Sequence, residues 1–380
     1  MDKVAVTTQE SWLSRLGGAV KGIVFGLALV LAASILLWWN EGRAVLTDHG
    51  LKEGSALAVA VSADRVDPAN EGKLAHVSGK ALAGKSLADP DFPFMAVKAL
   101  VLRRQVDMFQ WKEEQQTREN KKVGGSVEKV TTYSYSKVWS SSLHDSARFH
   151  EAGGHVNPSA MPFAGLTLID PDARIGAFRL SADMLDLPAT ETLRAPDNAP
   201  LAKGWAVHGQ IYIGKNPDAP EIGDVRIRHF YAPEQDVSIV ARQQGDGFAS
   251  FSVSGGQRTI RMLKPGLCDA AAMFNAARDE NALLTWLLRG VGVLGLLTGF
   301  FLILRPLAVA GDLVPLVGDI LGMGAGFAAL CLSLACALLV VGLAWIFYRP
   351  LLGACLLFGT VAVLAGVKRF GRQKRSAQAS

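Results

Sequence analysis

Two pools of apolar sequence, residues 22–39 and 282–367, constrain this chain more than any other feature. A helix crosses the hydrocarbon of a bilayer with about 20 predominantly apolar residues. Gly22–Trp39 supplies eighteen without a charge, entered after Lys21 and closed by the interfacial pair Trp38-Trp39. A cleaved signal peptide is the competing reading. Its apolar core would be shorter, and small residues would stand where the tryptophans do. The run therefore reads as an uncleaved anchor.

The C-terminal pool divides into three spans, Ala282–Leu304, Ile320–Phe347 and Leu351–Val367. Only Tyr348-Arg349-Pro350-Leu351 separates the last two, which predicts an antiparallel helical hairpin stopped by the proline. Arg289, near the outer end of its span, can snorkel to the interface. Orientation follows from the basic residues beside the spans. Lys3, Arg15 and Lys21 precede the first; Lys368, Arg369, Arg372, Lys374 and Arg375 follow the last. Four spans put both termini on one face, and both are basic, so both are expected in the cytoplasm.

The predicted organisation is a membrane protein of α+β class with four transmembrane helices arranged one plus three. Residues 1–21 form a cytoplasmic segment, 40–281 a β-rich extracytoplasmic domain, 305–319 a cytoplasmic link and 368–380 a basic cytoplasmic tail. Half the 380 residues are apolar and 19% are charged, too greasy a balance for an ordinary soluble enzyme. The net charge of +5 gathers beside the membrane segments and leaves no nucleic-acid footprint. Of four cysteines, only Cys268 falls in the domain, so its stability must come from a packed core rather than an internal disulfide.

Within the domain, Val101–Trp111 is dense in strand formers, and Tyr133, Tyr135 and Trp139 alternate with polar neighbours. Lys112–Ser126, with Gly124-Gly125, reads as the strand ends and tip of a hairpin joining them. Further strands are expected at Val207–Ile213, Val225–Tyr231 and Val237–Arg242. A short helix is expected at Ser181–Leu187, and another at Asp269–Arg278 running into the second span. A strand, a proline-bracketed turn and an arginine-bearing strand recur around Arg103-Arg104 and Arg226–Arg228, a pattern that chance or an old duplication would produce.

Several unusual runs resemble the LUMA family, also called transmembrane protein 43. They are Trp39-Asn40-Glu41-Gly42-Arg43-Ala44, Asp67–Leu74, Leu102–Val106 continuing to Trp111, and Tyr133-Ser134-Tyr135 with Trp139. His155–Met161, Val240–Gln243 and Phe347–Leu351 complete the set. Their order from residue 39 to 351 covers nearly the whole chain. The resemblance implies a one-plus-three membrane layout with the domain outside the cytosol. It also implies a role in organising membrane protein complexes, and it carries no catalytic residues. In eukaryotes the family is associated with the endoplasmic reticulum and inner nuclear membrane. The alanine- and glycine-rich helices here point to a bacterial member, placed in an inner membrane with a periplasmic domain.

Candidate chemistry is sparse. His150 and His155, with His144, Asp145 and Glu151 nearby, evoke a zinc-protease helix. Five residues on, however, the second histidine is displaced by about 140° around a helix, and Gly153-Gly154 opposes one. A polar loop is the reading adopted, and no metal or other cofactor is expected. Glu71, Lys73, Arg103, Arg104 and Asp107 could be drawn as an acid–base set but fit cross-strand ion pairs better. Glu41, Arg43 and Arg349 stand at the membrane surface, where they would contact lipid headgroups or partner proteins, or simply cap and anchor the spans. Gly318, Gly322 and Gly326 recur every four residues, as do Gly295 and Gly299, and Gly22 and Gly26. Such stripes admit close helix packing, within the monomer or in a homo-oligomer. The function expected is a non-enzymatic membrane scaffold whose partners are lipids, other membrane proteins and further copies of itself. An envelope- or lipid-modifying enzyme with a site near the membrane surface is the alternative.

Overall fold

The computed structural model describes residues 2–122, 124–202, 205–207, 209–312 and 315–350. It divides into a sheet-rich unit, comprising Met1–Thr7, Gly50–Arg118 and Val130–Ala276, and a helical unit, comprising Thr8–His49, Glu119–Lys129 and Ala277–Ser380.

Among the described residues, the helical unit has three helices long and apolar enough to cross a membrane: α1 (Trp12–Leu57), α2 (Ala270–Gly311) and α3 (Pro315–Tyr348). The expected fourth span, Leu351–Val367, and the basic tail lie outside the described residues. The expected helix at Asp269–Arg278 is the start of α2 and runs unbroken into the second span. Ala33, Leu37, Leu296 and Ala337 form the buried seam of the bundle. Two of the glycine pairs explain how α1 and α2 approach so closely. A Cβ on Gly26 would come within 2.7 Å of the Gly299 carbonyl oxygen, and one on Gly299 within 2.9 Å of that of Gly26. Backbone meets backbone there, and any side chain would force the helices apart.

The sheet-rich unit holds two main sheets. Its strands, in chain order, are β1 (Asp2–Glu10), β2 (Leu74–Leu82), β3 (Val101–Lys121), β4 (Val127–Ser140), β5 (Leu166–Ile169), β6 (Glu191–Leu193), β7 (Trp205–Val207), β8 (Ile211–Ile213), β9 (Val225–Ala232), β10 (Gln235–Gln244) and β11 (Met262–Pro265), with shorter ones between. The larger sheet runs β1-β4-β3-β9-β8-β7, with β5 also on β3 and β6 also on β9. The other is centred on β10, which pairs antiparallel with β2 and β11. Val77, Val237, Ile239, Ile175 and Phe178 fill one core. Phe92, Met95, Val106, Met108, Ile211 and Ile227 fill a second, against the inner face of β3, β8 and β9.

Strand β3 changes character along its length. Leu102, Arg104, Val106, Met108 and Gln110 are buried, whereas 114–121 is exposed and polar, held by pairing with β4. Gly124 and Gly125 close the hairpin with φ of 89° and 77°, a conformation that glycine alone adopts cheaply.

Two sequence expectations need correction. Ser181–Leu187 forms a turn, in which the Met184 N–H donates to Ser181 O, and not a helix. Val207–Ile213 is not one strand, because β7 and β8 fold back on each other as a hairpin. The recurring arginine-bearing strands, a pattern that chance or an old duplication would produce, are β3 and β9, antiparallel neighbours in one sheet. A further set of contacts bears on sidedness. Residues 1–21 and 305–319 were expected on the face opposite 40–281. Yet β1 pairs with β4, Lys129 meets Glu10 at 2.7 Å, and Lys121 meets Asp312 at 3.0 Å and Asp319 at 2.8 Å. These contacts join the hairpin tip to the N-terminal segment and to the α2–α3 link. They also give Asp319 a basic partner.

Candidate functional site

The residues Asn40-Glu41-Gly42-Arg43 occupy consecutive positions of α1, so they point around the helix at about 100° intervals. Glu41 is fully buried, and its carboxylate accepts from Arg289 Nε at 2.6 Å, Arg289 Nη2 at 2.9 Å and Trp345 Nε1 at 2.8 Å. One acid therefore ties α1 to both α2 and α3. Asn40 and Arg43, three residues apart and on one face, both turn to α2. Asn40 Nδ2 donates to the Thr285 carbonyl at 3.0 Å. Arg43 donates to Asn281 Oδ1 and Thr285 Oγ1, each at 2.8 Å. Gly42 faces α3, where a Cβ would lie 2.7 Å from the Tyr348 ring.

A carboxylate taken out of water in this way is tolerable only with its charge and lone pairs matched. The bidentate guanidinium supplies charge and two donors, and the indole supplies a third. Arg289 is itself stacked near Trp286, 4.6 Å from the ring centroid, and Trp345, 5.9 Å away. Glu41 is thus an interior link between helices and not the surface contact expected of it, and Arg289 does not snorkel but turns inward. Arg43 is only partly exposed and bonded within the bundle, whereas Arg349 is half-buried with no side-chain partner among the described residues. Sequence reasoning missed the Glu41–Arg289 pair. The available signal was a lone arginine inside an apolar run, which demands an acid, together with a lone acid at the end of the neighbouring run.

The third-span glycines are placed unequally. A Cβ on Gly318 would strike the Asp312 side chain, one on Gly322 would come 3.9 Å from Ala308 Cβ, and one on Gly326 would meet nothing within 4 Å.

In the sheet-rich unit the polar residues separate by face. Arg104 points inward from β3, donating from Nη1 to Asp89 at 2.8 Å and Asp91 at 2.6 Å, and from Nε to the Ala164 carbonyl at 3.0 Å. His229 Nε2, on β9, lies 2.7 Å from the other Asp89 oxygen. Burial alone would raise the Asp89 pKa, but the hydrogen bonds from His229 and the Asp91 N–H, with the Arg104 charge, hold it below its ordinary value. On the opposite face Asp107 accepts from Arg226 Nε at 3.0 Å and Arg228 Nη2 at 2.7 Å, the cross-strand pairing expected. Arg103 stands exposed on that face. Glu71 is elsewhere, accepting from the Gly245 N–H. Glu71, Arg104 and Asp107 therefore do not converge into an acid–base set.

The histidine loop packs on β4. His150 stacks on Tyr133 with centroids 4.3 Å apart, and His155 on Tyr135 at 3.7 Å. Tyr135 donates to Glu113 at 2.7 Å, and burial with this bond pushes its hydroxyl pKa up to about 12. The two imidazoles are spent on different tyrosines of one strand face. Among the described residues no three histidines, cysteines or acids are grouped to hold a metal ion.

Comparison with known proteins bears on the whole chain. A family model described as transmembrane protein 43 matches residues 108–350. Transmembrane protein 43 of Mus musculus is 35% identical over 380 residues, covering 95% of this chain and 92% of its own. That of Homo sapiens is 34% identical, covering 92% and 90%. A Drosophila melanogaster homolog is 32% identical, covering 88% and 90%. No solved structure matches.

Proposed function

The chain belongs to the transmembrane protein 43 family, and from that premise we propose that it acts as a non-enzymatic membrane scaffold, holding membrane proteins or lipids through its sheet-rich unit. The observation that supports this reading is the internal matching of its buried charge. Glu41 is matched by Arg289 and Trp345, Asp89 by Arg104 and His229, and Asp107 by Arg226 and Arg228. A catalytic acid or base needs an unsatisfied valence facing substrate, and these groups spend theirs on one another. The enzyme alternative would need a cleft where Arg103 and His155 meet. Arg103 lines an open hollow beside Ser141 and Thr167, while His155 is buried against Tyr135.

In this proposal four spans carry the sheet-rich unit outside the cytoplasm, in a bacterial inner membrane or an endomembrane, and the protein self-associates. The basic flanks of the spans support the orientation, and the contacts of Lys121 with the α2–α3 link oppose it for the hairpin tip. The scaffold reading is tested by purifying the full chain in mild detergent after crosslinking and identifying what accompanies it. Reproducible membrane-protein partners, lost on deletion of 50–276, are expected. A monodisperse, partner-free protein that turns over an envelope lipid overturns the reading.

A further inference from the structure

The outer face of the larger sheet collects arginines and aromatic rings. Along β3, Arg104, Val106 and Met108 point into the core, so Arg103, Gln105, Asp107 and Phe109 alternate onto the other side. The register sets Phe230 of β9 opposite Arg103, Arg228 opposite Gln105 and Arg226 opposite Asp107. Opposed residues share a face, so all three join this surface. Thr167 of β5 flanks Arg103, and Thr192 of β6 flanks Phe230. Thr167, Arg103, Phe230 and Thr192 thus form a row across four strands, about 14 Å long at roughly 4.8 Å per strand. Trp139 of β4 packs on Phe109, with centroids 5.2 Å apart, and carries Arg226 over its ring at 4.6 Å.

Charge on this face is one-sided. Asp107 accepts from Arg226 Nε at 3.0 Å and Arg228 Nη2 at 2.7 Å. Arg103 is exposed and meets no acid among the described residues. Nor does Arg194, which follows β6. With Thr192, Gln210 and Arg228 it borders an open hollow of ≈ 460 Å³, where β6 and β8 leave a gap along β9. At the other end of the row a hollow of ≈ 370 Å³ lies beside Arg103, bordered by Gln105, Ser141 and Thr167. Asp224, at the start of β9, is spent on the Tyr212 hydroxyl at 2.6 Å and the Glu221 N–H at 2.8 Å. Four guanidiniums therefore face two carboxylates, and only Asp107 stands among them.

We propose that this face docks an acidic segment of a partner protein, an extended run with carboxylates at alternate positions. Side chains at i and i+2 of an extended chain stand on one side about 7 Å apart. Arg226 and Arg228 have that spacing along β9; Arg103 and Arg228, diagonal neighbours on adjacent strands, lie ~7–8 Å apart. A guanidinium matches a carboxylate with two parallel bonds, where a lysine offers one point charge. Arginine with aromatic residues is also the composition of protein interfaces. Membrane-binding basic clusters sit instead beside a span or on an amphipathic helix. A nucleic-acid base needs an open aromatic platform, and Arg226 already covers the Trp139 ring.

The proposal rests on the scaffold reading and names the chemistry of the partner held. The full chain in neutral detergent is titrated with the fluorescein-labelled pentapeptide Glu-Thr-Glu-Phe-Glu and with Lys-Thr-Lys-Phe-Lys, followed by anisotropy. Unlabelled peptide, a short oligothymidylate and phosphatidylserine mixed micelles serve as competitors. Saturable binding of the glutamate peptide alone is expected, weakened by salt. Arg103→Glu should weaken it about tenfold or more without changing the unfolding temperature, and Arg194→Ala should weaken it independently. Absent binding, or binding unchanged in both variants, overturns the face. Displacement by oligothymidylate or by the micelles at lower concentration than by unlabelled peptide overturns the acidic segment in favour of nucleic acid or membrane. Crosslinked partners of the full chain separate the two readings. Partners fully retained by Arg103→Glu uphold the scaffold and overturn this face; peptide binding with no partner recovered leaves the face standing and overturns the scaffold.

Discussion

The helical unit and the sheet-rich unit both bury charge, but they balance it differently. In the bundle one acid, Glu41, meets one guanidinium, Arg289, and an uncharged indole completes the set. On the outer face of the sheet Asp107 is shared by two arginines, and Arg103 stands beside them exposed. The contrast reflects the surroundings. An apolar bundle offers no counter-ions, so charge there must cancel within the protein. A sheet face open to water can carry surplus cations, because the solvent hydrates and screens them.

The largest expected effect lies on the balanced side. Arg289→Ala strands a buried carboxylate and should destabilise the bundle by about 3–5 kcal/mol, read as loss of folded protein in detergent. The double variant Glu41→Leu with Arg289→Leu should recover most of that loss. A double variant as unstable as the single would show that packing, and not charge matching, sets the cost.

Next comes Asp89→Asn in the sheet, with a cost of about 1.5–3 kcal/mol for weakened bonds to charged partners. Its pH dependence fixes the cause. The folded-state pKa of Asp89 is depressed, so its stabilisation is complete above the ordinary carboxylate pKa of about 4 and is lost as pH falls through the lower folded value. Thermal unfolding followed between neutral and acid pH should therefore show a shallower acid loss in the variant. Identical slopes would remove Asp89 from the account.

These pairs show what the sequence revealed and what it hid. Apolar runs identify spans directly, since composition alone decides whether about 20 residues tolerate lipid. The alternation in 101–111 and 133–139 likewise announced β3 and β4. Partners were harder, because Glu41 and Arg289 become neighbours only once α1 and α2 pack. Short strands such as β6 and β8 have too few residues for a period, so the gap between them was invisible. Core placement also outran pattern. Trp111 and Trp139 are only half-buried, whereas Tyr135 and Tyr212 are enclosed. Tyr135→Phe, which removes one of two hydrogen bonds to Glu113 Oε2, should accordingly cost about 1–2 kcal/mol in chemical denaturation, with the stacked His155 left in place. No measurable loss would mean that water replaces the hydroxyl.

The smallest energetic effect is expected at the hairpin tip. Lys121→Ala removes partly exposed ion pairs and should change stability by less than about 1 kcal/mol. Its value is topological. An impermeant thiol reagent applied to Lys121→Cys in intact cells, on a background lacking the native cysteines, reports which face the tip occupies. Labelling from outside would contradict the Lys121–Asp312 contact unless the α2–α3 link labels as well. Protection until the membrane is opened would uphold the contact and move the tip to the link's face.

The Glu41–Arg289 link also bears on biosynthesis. Its members are 248 residues apart, so a ribosome adding about 5–20 residues per second emits them roughly 10–50 s apart. For that interval the first helix sits in the membrane with an acid whose counter-charge does not yet exist. It must wait without its guanidinium partner until the second helix arrives. Insertion of α2 then supplies the two donors that Glu41 accepts from, so the link closes only after Arg289 has been made. A chain truncated before Arg289 would expose an unmatched acid, a mark by which quality control can recognise an unfinished copy.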